Sequence, residues 1–200
     1  MDLDPQELIA RDRYRWLISV LVPRPIAWVS TLDANGQANL APFSFFGGVT
    51  SDPMTVMLSV GRRAGARKDT SRNLLQHGEA VVHIPTRELV EHMVRSSGDY
   101  PSDTDEFELI GLAREPAERV APPRLSDAAI AMETSLVHHQ EVGNAPVDLF
   151  LLEVLWLHIA DRVLRDGRID PAELQAVGRM GGIDYCATDE IWKIARPKVL

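Results

Sequence analysis

Residues 23–60 read PRPIAWVSTLDANGQANLAPFSFFGGVTSDPMTVMLSV, and Arg67-Lys68-Asp69-Thr70 follow shortly after. The reading of this stretch decides the fold. Ile26 to Leu32 is a first strand. Asp33-Ala34-Asn35-Gly36 is a turn, with Asn-Gly supplying the positive φ angles that a tight hairpin needs. With Asn35-Gly36 as the turn centre, Ser30 faces Ala41 and Trp28 faces Phe43. Ala38 to Phe46 returns. Pro42 removes one ladder donor, which places this strand at an edge or on a bulge. Gly47-Gly48 ends it. Ser51-Asp52-Pro53 is a second turn, and Thr55 to Val60 is a third strand, apolar enough to lie centrally. After a loop at Gly61 to Ala66, Asp69 or Thr70 caps a helix that runs to about His77, where Gly78 stops it.

Outward from this stretch the pattern stays rich in strands. Upstream, residues 5–19 read as a helix opened by Pro5, docked on the body through Leu8, Ile9, Tyr14, Trp16 and Leu17. Downstream, Glu79 to Pro85 is a strand. Arg87 to Arg95 is a helix with Leu89, Val90, Met93 and Val94 on its apolar side. Ser96 to Glu106 is polar, an exposed loop and a candidate lid. Phe107 to Leu112 is a short helix or turn. Ile130 to Glu141 and Val147 to Ala160 are long strands. Asp166-Gly167 is a second hairpin signal. Asp170 opens a helical turn at Pro171 to Val177, and a glycine-rich turn follows at Arg179 to Tyr185. Many strands joined by hairpins, with few helices, point to an antiparallel barrel.

Length and charge narrow the function. Two hundred residues suit one domain over 1–200, with 1–20 as an N-terminal helical extension. A net charge of -8 argues against a nucleic acid or an anionic membrane as partner. Yet Arg62, Arg63, Arg67, Lys68 and Arg72 crowd one window, which suits one specific anion. Cys186 is the single cysteine, so neither an internal disulfide nor a cysteine-based metal site can form. With an acidic, helical N-terminus unlike a signal peptide, this predicts a cytoplasmic protein. Val147 to Ala160 is interrupted by Asp148, Glu153 and His158 and is too short to span a bilayer.

Several familiar sites are absent: no G-x-G-x-x-G, no Walker loop, no G-x-S-x-G elbow, no H-E-x-x-H. A nicotinamide nucleotide would therefore be a visiting substrate, not a cradled cofactor. Three stretches remain. Trp28-Val29-Ser30-Thr31 with Ala41-Pro42-Phe43-Ser44-Phe45 reads either as a surface for a heteroaromatic ring or as a plain hairpin with aromatic core residues. Ser30 and Thr31 alternate in direction, so only part of the set reaches one ligand. Arg67-Lys68-Asp69-Thr70 at a helix N-terminus reads as a phosphate monoester site or as a capped surface helix. Arg179-Met180-Gly181-Gly182 and Tyr185 read as a ligand approach or a tight turn. His138 and His139 point to opposite faces and make no metal site by themselves. Asp103, Asp105, Glu106 and Glu108 read as a solvated face.

Taken together, Arg24 to Thr31, Asn39 to Phe46, Ser51-Asp52-Pro53, Lys68-Asp69-Thr70 with Asn73, and the Asp166 to Pro171 and Arg179 to Tyr185 segments resemble the flavin reductase-like, FMN-binding split-barrel family. The resemblance covers about residues 20 to 197. Gly47 stands where relatives often have asparagine, and Met54 where they often have proline. The resemblance implies a mainly β, antiparallel, six-stranded Greek-key split barrel with short peripheral helices. It also implies a homodimer with FMN at the subunit interface. Trp28, Ser30 and Thr31 would line the flavin, and Ala41, Pro42, Phe43, Ser44 and Phe45 would run along its ring. Arg67, Lys68 and Thr70 would hold the phosphate; Arg179 and Tyr185 would lie at the ring edge or in the partner subunit's pocket. NADH or NADPH would donate hydride to FMN, and reduced flavin would serve a partner oxygenase or another redox acceptor. An electron carrier that keeps its FMN, and a split barrel without flavin, are the alternatives.

Overall fold

The computed structural model describes residues 1–188 and 190–197. Seven strands form one antiparallel sheet: β1 Ala27–Leu32, β2 Ala38–Phe43, β3 Phe46–Ser51, β4 Met54–Val60, β5 Glu79–His83, β6 Ile130–Val142 and β7 Val147–Ile159. Their order in space is β2-β1-β5-β6-β7-β4-β3. The two outermost strands, β2 and β3, are neighbours in the chain, separated only by Ser44 and Phe45. Across that break the Ser59 N–H donates to the Phe45 carbonyl at 2.9 Å. Thus β2 and β3 act as one bent strand that pairs with β1 at one end and β4 at the other. The sheet closes into a six-stranded barrel, split at the bend. The expected mainly β architecture stands.

Alternation sorts the side chains of β1 onto two layers. Ala27 and Val29 join Phe43, Leu58, Phe150 and Leu152 in the barrel interior. Ile26 and Trp28 face outward, where Leu40, Leu89, Met93, Phe107 and Ile110 cover them. Those last four residues come from the turn at Arg87–Leu89 and from two short helices, α3 Val90–Arg95 and α4 Glu106–Ile110. Two other helices flank the barrel, α1 Ala10–Val20 and α2 Asp69–His77. Gly78 ends α2 in the left-handed conformation at φ 72°, as its sequence predicts.

Several expectations need correction. The first hairpin is one residue out of the expected register: Ser30 pairs with Leu40, Trp28 with Pro42 and Ala27 with Phe43. The cause is Asp33. Its side chain accepts from the N–H groups of Asn35 and Gln37, both at 2.8 Å, and its own N–H meets the Gln37 carbonyl. That builds a three-residue loop with Gly36 at φ 79°, not a two-residue turn. Gly47 and Gly48 do not end a strand; they lie inside β3, at the sheet's edge. A helix from Pro5 does not form: α1 begins at Ala10 and buries none of its residues. Tyr14, Trp16 and Leu17 are exposed, so α1 is not docked through them. Neither Asp69 nor Thr70 caps α2; the N-cap is Lys68, with no side-chain cap. Val94 is exposed, not packed.

Candidate functional site

Three adjoining cavities of 350, 220 and 580 Å³ share Pro42 and Phe43 as wall. They form a trough along the bend between β2 and β3. Ala41 faces the first cavity, Ser44 the second and third, and Phe45 the third. The split in the barrel therefore sets the trough's floor.

The first cavity is the cationic end. It is lined by Arg63, Arg67, Lys68, Thr70 and Arg72, with Asn39 beside them. Most of this charge is already compensated. Arg67 pairs with Asp148 at 3.2 Å and with Glu141, Arg62 with Glu141 at 2.9 Å, Arg63 with Asp99 and Arg72 with Asp69. Of the five cations in the window, Lys68 alone forms no ion pair with a carboxylate among the described residues. Its ammonium sits 5.7 Å from the Phe43 ring. Burial, with help from Arg63, lowers its pKa. A desolvated, unpaired ammonium gains from an anion. It stands at the start of α2, whose first-turn N–H groups have no side-chain cap. The helix dipole favours negative charge at the same point.

Thr70 is buried, and its Oγ1 accepts from Asn39 Nδ2 at 3.1 Å. Its own hydroxyl proton is left to donate. Thr31 is fully buried and accepts from Asn73 Nδ2 at 3.0 Å, tying β1 to α2. This amide and hydroxyl network fixes the helix N-terminus against the sheet. Trp28 and Ser30 are also fully buried, on the outer side of β1. Trp28 Nε1 donates to Ser96 Oγ at 2.9 Å, and Ser30 Oγ donates to the Pro123 carbonyl at 2.6 Å. The structure thus brings Ala41, Pro42, Phe43, Ser44, Phe45, Arg67, Lys68 and Thr70 to the trough. Trp28, Ser30 and Thr31 stand behind it, with side chains engaged elsewhere.

One residue of the first cavity was read otherwise in the sequence. Glu106 is not on a solvated face. It is 8% exposed, and its Oε2 accepts from the Leu40 N–H at 2.9 Å. Burial raises its pKa to about 7, against the Leu40 hydrogen bond and with Asp69 and Asp105 adding to the rise. The available signal was spacing: Glu106 and the apolar Ile110 fall on one face of a short helix. Asp105 is likewise used, accepting from the Phe107 N–H at the start of α4. The 96–106 segment is exposed along much of its length, but Ser96, Ser97, Tyr100 and Ser102 line this cavity.

The second cavity holds Arg179 and Tyr185, joined by Tyr14, Arg24 and Gly182. Arg179 and Tyr185 face each other across a short antiparallel pair, Val177–Arg179 with Tyr185–Ala187. The Arg179 guanidinium stacks 4.4 Å from the Tyr185 ring centre and donates to the Tyr185 hydroxyl. Gly181 serves a protein contact: a Cβ there would lie 3.3 Å from Ser19 Oγ of α1. Nothing in the sequence pattern marks Arg24 or Tyr14 as a site residue. Among the described residues no group of histidines, cysteines and acids has metal-binding geometry, and no helix is long and apolar enough to cross a membrane.

Known proteins resemble this chain over its whole length. An uncharacterized protein of Halalkalibacterium halodurans is 35% identical over 204 residues, covering 100% of this chain and 98% of its own. The crystal structure of nitrilotriacetate monooxygenase component B from Bacillus cereus superposes with a TM-score of 0.93 at 32% identity, covering 97% and 98% of the two chains. The 2-nitrobenzoate 2-nitroreductase of Pseudomonas fluorescens gives a TM-score of 0.91 at 26% identity, covering 100% and 98%. Residues 19–172, which include the barrel strands and the cationic end of the trough, match the flavin reductase like domain, and the chain belongs to that family.

Proposed function

We propose that the chain binds FMN in the trough and acts as an NAD(P)H-dependent oxidoreductase. The observation that carries this reading is Lys68. An unpaired, desolvated ammonium meets an uncapped helix N-terminus at one end of a trough walled by Pro42 to Phe45. The residues present fit a flat ring with an anionic tail. Lys68, Thr70 and the first-turn N–H groups of α2 would hold the phosphate. Ala41 to Phe45 would lie along the ring, with backbone N–H and C=O groups at the break between β2 and β3 to meet its polar edge. Thr31 acts behind the site by fixing α2 through Asn73. When bound, FMN supplies hydride acceptance from a reduced nicotinamide and onward electron transfer. The chain contributes binding, orientation and exclusion of water.

The active form in this reading is a homodimer with the ring at the interface. Support comes from α1 and its N-cap, which have no fully buried residue and expose Ile9, Tyr14, Trp16, Leu17 and Val20, with Tyr14 and Leu17 lining the trough. Exposed apolar surface of this extent marks an interaction face. The similarity to a monooxygenase component supports a partner oxygenase as the consumer of reduced flavin. A non-enzymatic electron carrier that retains its FMN would differ in its flavin dissociation constant and in its lack of turnover with a nicotinamide.

The test is a visible spectrum of the purified protein titrated with FMN, followed by NADH or NADPH under anaerobic conditions. Bound yellow flavin that bleaches with one donor is the expected result. Lys68→Ala should weaken FMN binding by about 10- to 150-fold, the worth of one charge-assisted hydrogen bond. Unchanged FMN affinity in that variant removes the phosphate assignment. Light scattering that returns a monomer with full FMN affinity removes the interface site.

A further inference from the structure

The second cavity contains charge that the phosphate end does not explain. Arg24 is 7% exposed, and its guanidinium meets no carboxylate among the described residues. Its Nε donates to Ser44 Oγ at 3.3 Å, Nη1 to the carbonyls of Ile18 and Leu21 at 2.6 Å, and Nη2 to the Met180 carbonyl at 3.0 Å. Neutral acceptors hold it in place without neutralising it. Burial lowers the Arg24 pKa; Tyr14 opposes that shift, and Arg179 adds a smaller lowering. Of the five N–H groups of Arg179, one donates to Tyr185 and one to the Gly182 carbonyl; the others have no partner among the described residues.

Among the described residues no acid lines this cavity, whereas Asp69 and Glu106 line the first. On a chain of net charge -8, two guanidiniums without a counter-ion among the described residues stand out from the background. A buried cation without a partner is costly, and an incoming anion removes that cost. Tyr14, Tyr185, Phe43 and Pro42 supply flat wall, and Ile18, Ile26 and Met93 supply aliphatic wall. The volume is 220 Å³, below the ~300–1,000 Å³ of sites for larger ligands. Arg presents a planar fork that matches a carboxylate, and aromatic walls favour a ring stacked between them.

We propose that this cavity is the subsite of the second substrate and takes a small, single-ring aromatic carboxylate, its carboxylate on Arg179 beside Arg24. The role as substrate rests on the flavin reading above; the binding itself does not. Arg24 is the positioning cation, held by four acceptors, and Arg179 makes the contact.

The test is calorimetric titration with benzoate as probe, on the protein with and without FMN. Benzoate should bind, and benzamide, its neutral isostere, should bind at least tenfold more weakly. Arg179→Gln should lose benzoate binding at least tenfold while keeping its FMN affinity; Arg179→Lys, which keeps charge but not the fork, should fall between. Lys68→Ala should lose FMN affinity and keep benzoate binding without FMN. Equal binding of benzoate and benzamide to the unaltered protein overturns the proposal, whatever the variants do. Loss of FMN and benzoate together in a folded Arg179→Gln protein also overturns it, by assigning this cavity to the flavin. If FMN does not bind at all but benzoate still discriminates, the flavin reading fails and the anion subsite stands.

Discussion

Glu106 makes the fold's stability depend on pH in a direction opposite to that of most carboxylates. Its pKa rises from 4.5 to about 7 because the carboxyl is buried beside the first cavity. Between those values the folded chain holds a proton that the unfolded chain has released. Stability from this group is therefore complete below the unfolded value and is lost as pH rises through about 7. The full shift corresponds to ~3.4 kcal/mol. The carboxyl borders a cavity open to water, and solvent screening reduces this to about 2 kcal/mol. Glu106→Gln keeps an acceptor for the Leu40 N–H and removes the titration. Urea unfolding of both proteins at pH 5 and pH 8 measures the effect. The variant should be more stable by under ~1 kcal/mol at pH 5 and by about 2 kcal/mol at pH 8. Parallel losses in both proteins would show that Glu106 is ionised in the fold at neutral pH, and the burial argument would fail. A phosphate brought to Lys68 adds negative charge near the same carboxyl. FMN affinity should then fall from pH 6.5 to 8.5 in the parent protein and less so in the variant.

Two other substitutions test what holds the trough in place. Asp148 is fully buried; burial alone would raise its pKa, but His139 at 2.9 Å and Arg67 hold it below the usual range. Asp148→Asn removes the charged acceptor that His139 and Arg67 share, while Arg67 keeps Glu141, so it should destabilise the fold by ~1–3 kcal/mol in urea unfolding; a loss under ~0.5 kcal/mol would contradict a working buried ion pair. Trp28→Phe removes the Nε1 hydrogen bond to Ser96 and should cost at least ~1 kcal/mol. Amide exchange over residues 96–102 should speed up in the same variant, and unchanged protection there would separate that loop from Trp28.

Local chemistry made much of the fold legible. The strand at Thr55 to Val60, the helix ending at Gly78 and the two long strands follow from apolar runs, a left-handed glycine and hairpin turns. What failed were features decided by one side chain reaching a backbone. Asp33 accepts from two turn amides and lengthens the loop, so the hairpin register moves by one residue. Asn-Gly alone cannot report this, because both turns place Gly36 at positive φ. The outward and inward faces of β1 survive the slip, since alternation belongs to each strand and not to the pairing. Only the partners change, and Trp28 meets Pro42 in place of Phe43.

The site was less legible than the fold for a related reason. Five cations in one window read as a single site for one specific anion. Their partners lie far along the chain: Arg67 reaches Asp148 and Glu141, and Arg63 reaches Asp99. Charge counted along a sequence is therefore an upper bound on charge free to bind. The inverse holds for Arg24, which stands alone among prolines and apolar residues and draws no notice by count. Folding surrounds it with carbonyls and leaves its charge uncompensated. A cation becomes a binding group when its neighbours supply hydrogen bonds without negative charge. Arg24 meets that criterion in the second cavity, Lys68 stands without a paired carboxylate among the described residues in the first, and the compensated arginines around Lys68 serve to hold its walls.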